Sequence, residues 1–306
     1  MRRVYTSALS VFTVLLITRS LFHCGRDSTA LTIVRLEHCI MDINHWMSAN
    51  RLKLNMDKTE LIWTGTKYSV TAGNASFPSL RLDADVILPS QHVRLLGVVI
   101  SADLGLEKHV SNVSATCFRH LRRLRHIRRS LSTESATTLV HAFVTSRIDY
   151  CNVVFVGAPK SVTNKLQRVL NAAARVVSGT RKFDRGLTQL LHADLHWLDV
   201  PERVRYKLCM MMRRCQDGTA PQYLAVHWAP VSETASRRHL WSAASHQLTV
   251  PPHWRITYSG RAFVVTAPRR GTHCQNVYVT PPTVLLFLWP SSQNIPFLRV
   301  LVYPAH

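Results

Sequence analysis

No two aspartates stand side by side anywhere in the 306 residues, and after Glu233 the sequence holds no Asp, no Glu and no Lys. Acidic residues number 17 against 38 Lys plus Arg. A paired-carboxylate metal clamp is therefore not encoded in contiguous form. A surface of evenly mixed charge is excluded as well. The seven cysteines (Cys24, Cys39, Cys117, Cys151, Cys209, Cys215, Cys274) form no C-x-x-C pair, and H-E-x-x-H is missing. Their odd number and wide spacing argue against a disulfide framework and a zinc site, so most should be reduced and buried. Walker A, G-x-G-x-x-G and G-x-S-x-G strings are absent, which leaves no small-molecule or hydrolase site in view. Long apolar runs are also lacking. Ala8–Ile17 and Thr283–Trp289 both fall short of the roughly 20 residues that span a bilayer. Thr18-Arg19-Ser20 is a poor cleavage site after the first of them, so the expectation is an intracellular protein of nucleus or cytoplasm.

What is present is positive charge on a chain that can fold. The formal charge is +21 and 46% of residues are apolar. A core is affordable, and nucleic acid is the first partner to consider. Leu31–Ala49 reads as an amphipathic helix with Leu36, Cys39, Ile40, Ile43, Trp46 and Met47 inward. Arg51–Thr64 reads as turn and strand, and Thr66–Ser79 as a loop. Leu80–Leu88 and Val93–Ile100 read as two strands paired through Pro89-Ser90-Gln91-His92, with Gly97 inside the second.

Beyond Asp103 the period becomes helical. Val110, Val113, Cys117, Leu121, Leu124, Ile127 and Leu131 make one apolar stripe over Lys108–Leu131. A second helix is expected over Thr133–Ile148 with Leu139, Val140, Phe143 and Val144 inward. A third should be capped by Ser161 and stopped by Gly179. A fourth should open on the capping box Asp199-Val200-Pro201-Glu202 and end before Gly218. Six arginines fall within Arg119–Arg129: Arg119, Arg122, Arg123, Arg125, Arg128 and Arg129. On a helix they fan away from the leucines, where guanidinium groups can bind phosphates bidentately and release counterions. Lys165 and Arg168 add charge on the third helix. The alternative is a solvated face on a structural or protein-interaction element with no ligand. Asp194 and His196 in HADLHWLDVP have catalytic types but a spacing that chance supplies easily, so they read as structural, with Trp197 a core anchor.

The string from Trp46 to Glu60, W-M-x-x-N-x-L-x-L-N-x-x-K-T-E, resembles the fourth palm motif of reverse transcriptases from jockey-like LINE (non-LTR) retrotransposons. His92–Val98 resembles the next motif, a hairpin that grips the primer end. His141–Asn152, Lys165–Thr180 and Leu195–Leu208 resemble the thumb and post-thumb region, and Gly260–Pro268 a C-terminal stretch. The resemblance covers about residues 36–268. It implies an α+β, mostly α fold: a partial palm of one helix and a small antiparallel β-hairpin, then an α-helical thumb bundle, with disordered or poorly packed ends. The implied segments are a non-family start at 1–22, residual palm at 23–103, thumb-like helices at 104–218, a family-like extension at 219–268 and a non-family tail at 269–306. An RNA/DNA template–primer is the implied partner. Leu96 and Gly97 would support the primer end, and Lys58 would match the palm lysine near the leaving pyrophosphate. In the intact enzymes a Y/F-A-D-D motif helps hold two Mg²⁺ ions. At the corresponding place this chain reads LLITRSLF from Leu15 to Phe22, so no complete catalytic set, no cofactor of its own and no polymerase activity are expected. No residue pattern fixes an oligomeric state.

Overall fold

The computed structural model describes residues 19–25, 29–55, 58–65, 78–82, 85–181, 183–225, 263, 265–267 and 299–305. The Ala8–Ile17 run, most of the Thr66–Ser79 loop and the tail from 269 to 298 lie outside them, as does most of the Gly260–Pro268 string. The chain divides into two compact units, Met1–Lys108 with Phe287–His306, and His109–Leu286. It is α+β and mostly α-helical among the described residues.

In the first unit, helix α1 (Thr29–Ala49) lies against strands β1 (Arg19–Gly25) and β3 (Leu80–Leu82). Its inward residues Ile33, Leu36, Ile40 and Met47 meet Leu54, Leu61, Trp63, Leu80 and Leu82 in one apolar core. Trp46, expected inward, is 51% exposed, because the i, i+4, i+11 phase of Leu36, Ile40 and Met47 leaves it off the stripe. β1, β7 (Arg299–Ala305) and β2 (Glu60–Trp63) form a parallel sheet with β7 in the middle, so the expected tail contributes a central strand.

The expected pairing of 80–88 with 93–100 does not form. β3 pairs antiparallel with β4 (Asp85–Ile87), and β5 (His92–Leu95) pairs with β6 (Val98–Ser101). The intervening link does not turn back. Pro89 bridges Leu61 in parallel, and the Ser90 amide donates to the Leu61 carbonyl at 2.8 Å, so the link runs along β2. The second hairpin closes at Leu96 and Gly97, with φ of 46° and 84°. Two positive φ values give the primed turn whose twist suits a two-residue hairpin. Gly97 is thus a turn residue.

The palm-like string also has a local structural meaning. Asn50 ends α1, Arg51 is left-handed at φ 57°, and Leu52 donates to the Met47 carbonyl at 2.8 Å while Arg51 donates to Ser48 at 3.0 Å. This is a Schellman stop built on a non-glycine residue. Arg51→Gly should therefore stabilise the fold by about 0.5–1 kcal/mol, the left-handed penalty net of glycine's greater unfolded freedom. A thermal melt checks this, and a lower midpoint would count against the strain argument.

The second unit is helical. It contains α2 (Glu107–Ile127, from its third residue on), α3 (Thr133–Val140), a π-helical segment (His141–Thr145), α4 (Ser146–Asp149), α5 (Lys160–Ser178), α6 (Leu187–Gln189) with a second π-helical segment (Leu190–Asp194), α7 (Val200–Gln216) and α8 (Gln222–Ala225). α5 packs between α3 and α7. Its stripe of Val162, Leu166, Val169, Leu170, Ala173 and Val177 is buried. Ser161 does not cap it: α5 opens at Lys160 after Pro159, with no side-chain cap bond. Gly179 does stop it, at φ 75°. The α7 capping box is present, with Glu202 Oε2 accepting from the Asp199 amide at 3.0 Å, and Gly218 follows the helix at φ 67°. Gln167 on α5 clamps this start: it donates to Asp199 Oδ1 at 2.7 Å and accepts from the Val200 amide at 2.8 Å.

Candidate nucleic-acid interface

α2 owes its shape to a strict apolar phase. Val110, Cys117, Leu121 and Leu124, spaced by seven, four and three, are all buried. At about 100° per residue they share one line, and Arg125, Arg122, Arg119 and Arg123 fall about 80°, 140°, 200° and 240° round from Cys117. All four are exposed, and so is Arg129 in the short 3-10 turn after the helix. The ion pairs among the described residues are His192–Asp199, Arg203–Asp149 and Arg213–Asp217. None draws on these arginines, so their charge faces solvent unneutralised by a described carboxylate.

Arg128 departs from the expected fan. It stands four residues after Leu124, in phase with the buried stripe, and turns inward. Its Nε donates to the Val176 carbonyl at 2.8 Å, Nη1 to Leu131 at 2.8 Å and Nη2 to Val177 at 2.7 Å. It also reaches Thr133 Oγ1 at 3.3 Å. Arg128 is therefore a cap for the C-terminal carbonyls of α5. Ile127, expected on the stripe, is 50% exposed.

Cys117 donates to the Val144 carbonyl at 3.9 Å. Burial pushes its thiol up to about 11 against the opposing Arg147, so it is inert at neutral pH. One turn on, His120 stacks on Phe143 with ring centroids 5.3 Å apart and planes 15° apart. Burial and then Arg147, Arg123 and Arg119 hold the imidazole below its ordinary range, which favours the uncharged ring. Phe143, expected in the core, is 41% exposed. The π-helical segment is responsible: the Ser146 amide donates to the His141 carbonyl, and with Val144 buried as expected, Thr145 turns inward and Phe143 out. A 3.6-residue period places Phe143 in the core and so does not show this pair.

Lys165 and Arg168 are exposed on α5, a different helix. They lie about 18 and 13 Å along its axis from the Arg128 tie. Lys58, Leu96 and Gly97 belong to the first unit. Lys58 is half-buried in a single 3-10 turn, and Leu96 is 51% exposed at the hairpin tip. In HADLHWLDVP, Asp194 and His196 are exposed, and Trp197 is buried under the edge of His141 at 5.4 Å. Arg203 donates to Asp149 at 2.8 Å and to the Leu198 carbonyl at 2.8 Å, and burial still pushes the Asp149 carboxyl up. These contacts tie helices together.

Other chemistries find less support in the side chains present. The parallel sheet offers Glu60 as its only carboxylate, a donor set that does not fit a two-Mg²⁺ centre. Among the described residues no group of three or more His, Cys, Asp or Glu is placed to hold a metal ion. No described helix is long and apolar enough to cross a membrane. A cleft of about 250 Å³ lined by Arg175, Thr180, Asp184 and Arg185 is smaller than most small-molecule sites. Cys39, Cys117, Cys151 and Cys215 are free thiols, as expected of most of the cysteines; Cys117 and Cys215 are buried, Cys151 is exposed, and Cys209 is disulfide-bonded. Compared with known proteins, the chain matches no family model, no curated protein and no solved structure.

Proposed function

We propose that this chain is the thumb-side part of a LINE-type reverse transcriptase, that it binds an RNA/DNA template–primer, and that it has no polymerase centre of its own. The observation that carries the binding half is the exposed arginine face of α2, unopposed by any described carboxylate. Guanidinium groups on one rigid helix take phosphate oxygens without first breaking internal ion pairs, so little of their binding energy is lost to reorganisation. The two-residue hairpin at Leu96-Gly97 supports the primer-end role in a second way. An exposed leucine held at φ 46° occupies a place where Asn or Gly would be less strained.

The family reading of Lys58 is a proton donor toward leaving pyrophosphate. Such a group typically contributes about 10²–10⁴-fold, but only where the reacting phosphate is already held. Among the described residues no group of carboxylates is placed to hold the metal ions that would fix that phosphate. Primer extension by the pure protein on an RNA template with Mg²⁺ should therefore stay at background. Robust synthesis that Lys58→Ala abolishes would overturn the inactive half of the proposal.

A further inference from the structure

The basic face of α2 is bordered by an aromatic pair that phosphate binding does not use. His120 and Phe143 come from two helices and stack nearly parallel, and the outer ring stays 41% exposed. Apolar packing alone does not account for this arrangement. The residue that a regular helix would bury is turned out by a π-helical segment, and such segments recur at functional sites. Arg119 and Arg123 flank His120 on its own helix, and Arg147 acts on it from α4. The result is a pair of stacked π-faces set among three guanidinium groups, none of which takes part in a described ion pair.

We propose that the His120–Phe143 stack is a platform for an unpaired base, so that the interface takes a single-stranded segment of RNA or DNA, with Arg119, Arg123 and Arg147 holding the phosphates on either side. This rests on the reading that the α2 arginines bind phosphate, and it adds the ligand's strandedness. In a duplex the base faces are stacked on their neighbours and closed to Phe143. In a single strand they are open, and aromatic stacking is sequence-tolerant because every base has a π-face. An acidic peptide would satisfy the arginines but would leave the ring stack without a matching planar partner.

The test compares three labelled probes of equal phosphate number by fluorescence anisotropy: oligoadenylate, an abasic strand, and a blunt duplex. The intact chain should bind oligoadenylate more tightly than the abasic strand. Phe143→Ala should weaken oligoadenylate binding about 5- to 100-fold, the range of single-base stacking, and leave the abasic strand and duplex unchanged. Phe143→Leu should behave like Phe143→Ala, since it restores volume without a π-face, and Phe143→Trp should restore binding. Because Phe143 is exposed, these variants should keep the wild-type circular dichroism spectrum. Equal losses on all three probes, or rescue by leucine, would overturn the platform while leaving the arginine reading intact. If the intact chain binds none of the probes in a salt-dependent way, the phosphate reading itself fails.

Discussion

Replacing Arg122, Arg125 and Arg129 together with glutamate should weaken duplex binding about 10²- to 10³-fold near 0.1 M salt and flatten its salt slope by roughly 2.7. The figure follows from counterion release. Each neutralised phosphate contributes about 0.9 to the slope of log affinity against log salt on a duplex, and about 0.7 on a single strand. Three lost contacts remove about 2.7 from that slope. Extrapolated from 1 M, this amounts to roughly a 500-fold loss at 0.1 M. The three side chains are exposed. Their replacement should shift folding stability by no more than about 0.5 kcal/mol, the usual range for surface changes. A filter-binding or anisotropy titration over a salt series reads both quantities at once. Unchanged affinity, or an affinity that salt does not touch, would mean that the face is solvated and unliganded.

This expectation separates two consequences of the same composition. A charge of +21 attracts polyanions wherever it sits, so weak binding alone says little. A phosphate track differs from diffuse charge in its dependence on position. Charge reversal of Lys165 and Arg168, on another helix, removes a similar charge from a different place. If the α2 triple variant loses no more than that pair does per charge, the geometry of α2 contributes nothing beyond net charge.

The helices of the second unit were legible because their signals are local and redundant. The α7 capping box, Gly179 and Gly218 each mark a boundary through one residue's conformational preference. α2 was legible for the same reason: four buried residues at spacings of seven, four and three define a face, and the arginines are what remains. Strand pairing was not legible. Leu80–Leu88 and Val93–Ile100 have the composition of strands, yet each folds back on itself, because Leu61 on β2 engages Pro89 and Ser90 from the link between them. That interaction joins residues far apart in sequence, and alternation along a single strand holds no trace of it. The central position of β7, drawn from 299–305, was invisible for the same reason. Phe143 failed differently. Its direction depends on one extra residue in a helical turn, which shifts every inward position after it. Half of the aromatic stack thus depends on a departure from the period used to find the other half.

Arg128→Ala should cost about 2–4 kcal/mol of stability, far more than the loss of any of the other arginines around it. The difference comes from a phase of one residue. Ile127 and Arg128 are adjacent, but the line through Cys117, Leu121 and Leu124 continues to Arg128, and the guanidinium reaches the last turn of α5. A helix leaves its final carbonyls without internal partners. Arg128 supplies donors to Val176 and Val177 there, and to Leu131 beside them, while its charge opposes the negative end of the α5 dipole. Hydrogen bonds to a charged group contribute about 1.5–3 kcal/mol each when deeply buried, and the part-buried setting argues for the lower end. Arg128→Lys should recover less than half, since one ammonium cannot place donors on three carbonyls held in a planar fork. Urea unfolding measures the loss, and amide exchange in the last turn of α5 locates it. Arg122→Ala serves as the control and should change stability by no more than about 0.5 kcal/mol. If Arg128→Ala proves equally mild and instead lowers nucleic-acid affinity as the α2 variants do, then Arg128 belongs to the phosphate face and its capping role is wrong.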